Sequence, residues 1–393
     1  MKLLAVLALL VFAGAAAGQG GEGGGGALPF AVGAAPAGCD VGRGEWVRDG
    51  AARPSYHEWE CPYIQPQLTC QAHGRPDKGY QGWRWQPRAC SLPSFNATLM
   101  LEMLRGKRML FVGDSLHRGQ YVSLLCLLHR AIPDAGKSFE TVGALSVFRA
   151  KDYDATIEFY WAPMLAESNS DDAAVERRAD DRLIRGAPMD KHSRFWKGAD
   201  VLVFNSYLGW VAGGDKIQIL RGADDDMSKD IVEMKAEEAY RLVLFQVVRW
   251  LEHNVDPKKS RVFFVTASPT HEDSTAWGDD AAEGGNCYNQ TSPISDASSY
   301  RGSTSREMQR VTAEVLATSR VPVGVLNITQ LSEYRRDAHT QIYRKQSAEP
   351  TAEQRADPRS YADCTHWCLP GVPDTWNELL YWKLFFPSND QVL

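Results

Sequence analysis

The sequence predicts an α/β domain of three layers, with helices on both faces of a mainly parallel sheet. Two observations carry this. Short apolar runs of strand length, such as Arg108-Met-Leu-Phe-Val112, alternate with longer segments whose apolar residues recur every three or four positions. Arg108 to Val112 and Asp200 to Phe204 are apolar without alternation, the pattern of buried strands, while Thr156 to Trp161 alternates. Composition agrees with a folded body: 44% of the 393 residues are hydrophobic and 23% charged.

Taken in order, Met1-Lys2 opens an apolar run from Leu3 to Ala17, so residues 1–18 read as a signal peptide cleaved near Ala17 or as a short uncleaved anchor. Both readings deliver the rest to a lumen. Residues 19–38, rich in Gly, Ala and Pro, read as a flexible stem. Residues 39–95 are dense in Cys and Trp, with little periodicity, and read as a loop-rich region stapled onto the body. Residues 96–393 form that body. Asn96 to Leu104 is a short helix, Arg108 to Val112 a buried strand, and Leu116 to Arg130 a helix. Strands follow at Thr156 to Trp161 and Asp200 to Phe204. The clearest helix carries Tyr240, Val243, Leu244, Val247, Val248 and Leu251 on one face. Strands at Arg261 to Thr266 and Val323 to Asn327 flank a helix around Ser305 to Thr318, and Asp374 to Phe386 closes the chain as a Trp-rich helix.

Charge and cysteine usage narrow the function. Acidic residues (49) outnumber basic ones (43), which argues against a nucleic-acid binder. Eight cysteines and three sequons, at Asn96, Asn289 and Asn327, fit an oxidising lumen. Spacing leaves the pairing of Cys39, Cys61, Cys70, Cys90, Cys126, Cys287, Cys364 and Cys368 open. No zinc-type cysteine pairs, histidine-carboxylate cluster, Walker loop or dinucleotide loop stands out, so no metal or tightly bound cofactor is expected.

Chemistry concentrates in two places. Ser115 follows a buried strand in Gly113-Asp-Ser115, where Gly113 permits a sharp turn and the next helix offers backbone N–H groups to an oxyanion. Its plain alternative is a helix N-cap. Asp363 and His366, in Asp363-Cys-Thr-His366, supply a base and an orienting carboxylate in a bent loop. Arg118 and Asn205 are candidate oxyanion donors. Trp210, His271 and Trp367 are candidate substrate contacts, His271 being also the rival base after a strand at the probable sheet edge. His117 points away from Ser115 as a surface or packing residue.

Five motifs then carry a resemblance over nearly everything from Cys39 onward. They are Cys39-Asp40 with Gly44-Glu-Trp-Val47, Tyr80-Gln-Gly-Trp-Arg-Trp-Gln-Pro87, Gly113-Asp-Ser115, Ser268-Pro-Thr-His271, and Asp363 through Gly371. In that order they resemble the plant trichome-birefringence-like family of cell-wall polysaccharide O-acetyltransferases. The resemblance implies an SGNH-esterase-like domain with Ser115 as nucleophile and Asp363 and His366 completing a triad. It further implies a single-pass type II protein of the Golgi membrane, or a secreted one if the leader is cleaved. The substrates it implies are an acetyl donor (acetyl-CoA or an acetylated intermediate) and xylan as acceptor. Disulfides Cys39–Cys90, Cys61–Cys126, Cys70–Cys368 and Cys287–Cys364 follow from the same resemblance. Two positions depart from it: His117 replaces a small polar residue, and Gly209 stands where relatives carry a second Trp. An acetylesterase using the same residues, or a non-catalytic wall-polysaccharide binder, are the alternative functions.

Overall fold

Met109 and Phe111 belong to the core on one side of the strand Arg108–Gly113 (β1), Leu110 and Val112 to the core on the other, and all four are fully buried. The same division repeats in Val201–Phe204 and Arg261–Val265, so one sheet separates two apolar layers. Burying each such side chain contributes about 1.5–3 kcal/mol. These relationships come from a computed structural model, which describes residues 28–172, 182–186, 189–220, 231–277, 285–295 and 302–387.

The central sheet has seven strands: β1, Lys137–Val142 (β2), Leu145–Ala150 (β3), Ala155–Trp161 (β4), Val201–Phe204 (β5), Arg261–Val265 (β6) and Val323–Leu326 (β7). Their spatial order is β7-β6-β5-β1-β4-β3-β2. The first five in that order are parallel; β3 and β2 add an antiparallel hairpin at one edge. The chain leaves β1 to build one side and then returns to build the other. A crevice therefore opens at the carboxyl end of β1, where ligands bind in open α/β sheets. Because β7 takes the edge, the strand before His271 is not the edge strand expected from sequence.

Four helices matter for the site. Ser115–Leu128 (α1) starts directly at the end of β1, and Val372–Phe385 (α4) packs against it. Ala236–Asn254 (α2) and Arg306–Leu316 (α3) cover the opposite face. α4 is buried almost all round, which requires a cover on its outer side. The Cys/Trp-rich region provides part of it. Tyr56 Oη donates to Asp374 Oδ1 at 2.8 Å, and Arg53 pairs with Glu378.

Within that region Gly44–Arg48 pairs antiparallel with Trp83–Pro87. Gly44 is obligatory there, since a Cβ would lie 2.2 Å from the Gln86 carbonyl oxygen. Four disulfides close the structure: Cys39–Cys90, Cys61–Cys126, Cys70–Cys368 and Cys287–Cys364. Two of them tie the region to the body, one at α1 and one just after His366.

The leader, residues 1–18, and the first part of the stem lie outside the described residues. From residue 28 the stem is not free, contrary to the reading from its composition. Val32 and Gly33 donate to the Phe385 carbonyl, Arg261 donates to that of Pro29, and Phe30 packs on the core. A single apolar ring and a few backbone bonds suffice to dock so short a segment. No helix among the described residues is long and apolar enough to cross a membrane. The sequon residues Asn96, Asn289 and Asn327 are all exposed, and Asn96 also caps its helix by accepting from the Leu99 amide.

Candidate active site

Asp114 shapes the entry to α1. Its Oδ1 accepts from the amides of Leu116 and His117, a side-chain cap that fixes the first turn. These two amides are thus spent on the cap and not offered to an oxyanion, which narrows the expectation from sequence to the amide of Ser115 itself. Burial pushes the Asp114 carboxyl up, against the pull of those amides. Gly113 serves close approach more than a turn: it is the last residue of β1, and a Cβ there would sit 2.4 Å from the Asn205 carbonyl oxygen.

The second half of the site comes from the strand Asp363–Trp367, paired antiparallel with His339–Gln341 across a register shift. The expected bent loop is thus an irregular strand. The bulge lets two residues three apart face each other. His366 Nδ1 lies 2.8 Å from Asp363 Oδ2, and His366 Nε2 lies 2.8 Å from Ser115 Oγ. Asp363 Oδ1 accepts from the amides of Thr365 and His366, while Arg344 donates to Oδ2 at 2.7 Å. Burial alone would raise the Asp363 carboxyl; the His366 imidazole and the Arg344 guanidinium outweigh it and hold the group well below the usual carboxylate range. The result is an ionised carboxylate, an imidazole oriented by it, and a partly exposed hydroxyl in line.

The remaining candidates fare differently. Arg118 sits 5.3 Å from the Trp161 ring, one turn from Ser115, and burial pushes its guanidinium down while Asp114 opposes. Asn205 is spent elsewhere: its Nδ2 donates to the carbonyls of Val265 and Thr266, clamping β5 to the end of β6, so it is no oxyanion donor. Trp210 (0% exposed) is core, donating to Ser206 Oγ and packing on Tyr240. His271 (0% exposed) and Trp367 (2% exposed) are likewise interior. Trp367 Nε1 donates to Ser268 Oγ, and its ring stacks on His339. In each case the aromatic or imidazole ring was better used filling the core than facing solvent. Of the two readings of His117, surface or packing, packing is the one found: its Nε2 donates to the Val203 carbonyl from full burial. Gly209 has a local cause as well, because a Cβ there would lie 2.6 Å from Met164 Sδ.

The family described as "GDSL/SGNH-like Acyl-Esterase family found in Pmr5 and Cas1p" matches residues 92–383. The chain belongs to this family. Residues 37–91, the Cys/Trp-rich region, match the "PMR5 N terminal Domain". Among curated relatives, "Probable xylan O-acetyltransferase 11" of Oryza sativa subsp. japonica is 74% identical over 400 residues, covering 100% of this chain and 98% of the relative. "Probable xylan O-acetyltransferase 10" of the same organism is 71% identical over 91% of this chain and 80% of its own length. "Protein trichome birefringence-like 35" of Arabidopsis thaliana is 47% identical over 87% and 75%. The SGNH-like fold expected from sequence is that of this family, with five parallel strands in the sheet and helices on both faces.

In this family member two residues around the site carry no local signal in the sequence, and a third, Asp114, carries one that the motif alone leaves unassigned. Arg344 lies 19 positions before Asp363 in a segment without periodicity, and nothing local marks it. His339 lies on the partner strand of the bulge, whose three residues are too few to show a pattern. Asp114 was legible as a cap, since Asp directly before a helical segment is a start signal.

Proposed function

We propose that the chain transfers acetyl groups to hydroxyls of xylan through a Ser115–His366–Asp363 relay. The single observation that carries the reading is the pair of 2.8 Å contacts that His366 makes, one to each partner. In the first step His366 Nε2 takes the Ser115 proton while Oγ attacks the donor's acetyl carbon. Collapse of the tetrahedral intermediate breaks the donor's bond, and the leaving group recovers the proton from His366. In the second step an acceptor hydroxyl gives its proton to His366 and attacks the acetyl-enzyme; Ser115 leaves and is reprotonated. The developing oxyanion is met by the Ser115 amide at the start of α1, with the Arg118 guanidinium alongside.

The acceptor assignment rests on the names of the rice relatives, and the donor is acetyl-CoA or an acetylated intermediate. A lumenal Golgi address with an N-terminal anchor, or secretion after cleavage, fits four disulfides and a wall-polysaccharide substrate. Purified protein incubated with an acetyl donor and xylo-oligosaccharides tests the reading by mass. Acetyl gain on the oligosaccharide is expected. Loss of acetyl from pre-acetylated oligomers without any gain makes it an esterase, and neither change leaves only a binding protein.

A further inference from the structure

Behind the catalytic imidazole, two fully buried histidines meet ring to ring. His271 Nδ1 lies 2.7 Å from His339 Nε2. The outer nitrogens face carbonyls: His271 Nε2 is 2.8 Å from the Glu333 oxygen, and His339 Nδ1 is 3.1 Å from the oxygen of His366. Carbonyls only accept, so each outer contact needs a hydrogen on nitrogen, and the central contact needs one more. Two neutral imidazoles carry two hydrogens for these three contacts. If both pointed outward, two lone pairs would face each other at 2.7 Å. The central contact therefore takes one hydrogen, and the other goes to Glu333 or to His366. A third proton completes the set.

The surroundings make this pair an extension of the site. His271 donates its own amide to the Cys364 carbonyl, and His339 stacks on Trp367 with ring centroids 3.9 Å apart, so both grip the strand that carries Asp363 and His366. Burial pushes His271 down to about 4 and His339 well below its ordinary value. Asp337 and Asp363 pull the other way, while Arg336 and His366 add to the depression. At neutral pH the pair thus holds two protons, and their placement decides whether the His366 carbonyl is gripped.

We propose that His271 and His339 are a positioning pair for His366: they share a hydrogen across their 2.7 Å contact and hold the catalytic strand through its carbonyl. This rests on His366 acting as the base in the proposed transfer. The test compares four variants of the full-length protein, the fourth being His271→Gln. His339→Ala removes the grip. His339→Asn places an amide where Nδ1 was, keeping the donor to His366 while dropping the link to His271. Ser115→Ala reports on the reaction itself. His339→Ala should lower kcat about tenfold or more at unchanged KM, because a small misplacement of a reacting group is enough to do so. His339→Asn should recover most of that loss, and a histidine-labelled sample of the unsubstituted protein should show a low-field imidazole proton that vanishes in His271→Gln. If Asn and Ala lose activity alike, if neither loses any while Ser115→Ala is dead, or if that proton is absent, the pair does not position His366. If Ser115→Ala keeps full activity, the transfer reading fails instead. Should His339→Ala not fold, the Asn variant must still keep kcat within a few-fold and the proton signal must still be found.

Discussion

His366 Nε2 and Ser115 Oγ stand 2.8 Å apart although 251 positions separate them in the chain. The meeting is made by the fold. β1 and α1 deliver the hydroxyl to the switch point of the sheet, and the strand after Pro358 returns the imidazole to the same end.

The carboxylate behind that imidazole should be indispensable. Asp363→Asn leaves an amide to face both His366 Nδ1 and Arg344, favouring the wrong tautomer, and should cut kcat by about 10⁴-fold with the fold intact. Steady-state transfer rates check this; a loss below tenfold would contradict it. Arg344→Met removes a positive charge beside the same carboxylate. Asp363 is then held down less strongly, and the acid limb of the rate profile should move to higher pH.

Buried neutral histidine should make the protein acid-sensitive. Burial lowers His117 from 6.5 to about 4, so the folded state binds its proton less readily than the unfolded chain. Stability from this group is present above pH 6.5 and is lost as pH falls toward 4, by about 3 kcal/mol in full. His117→Gln keeps a donor for the Val203 carbonyl and should flatten urea-unfolding stability between pH 7 and 5 by about 2 kcal/mol. An unchanged slope would refute the assignment.

The two ends of the N-terminal region should differ in what their disulfides do. Cys368, two residues past His366, is tied to Cys70 across a separation of 298 positions. Replacing both cysteines should cost about 2–5 kcal/mol and lower kcat as well. Replacing Cys39 and Cys90, whose bridge lies within the N-terminal region, should lower the melting temperature with kcat nearly kept. Equal losses of kcat in both variants would show that the staple near His366 has no special part in the site.

Much of this was legible because strong patterns acted locally. The β1 run, the amphipathic face of α2 and the Gly-Asp-Ser turn each announce themselves within one element. The hairpin β2–β3 did not, since Lys137–Val142 is an edge strand with mostly exposed residues and so lacks an apolar run. The small sheet of Leu183–Arg185, Lys216–Leu220 and Ile231–Lys235 escaped because the first strand has only three residues and the other two carry exposed residues at alternate positions. Side-chain assignments failed where burial decided them. Asn205, Trp210, His271 and Trp367 all lie near the site in sequence logic, yet each is turned into the core by contacts with residues from distant segments. Arg344 is the converse: a distant residue placed at Asp363 by the fold alone.

The most direct measurement is peptide mapping after a brief incubation with acetyl donor and no acceptor. One acetyl group is expected on the peptide bearing Ser115, removed when xylo-oligosaccharide is added and never formed in Ser115→Ala. An acetyl group carried by a different side chain, or full transfer by Ser115→Ala, would contradict it.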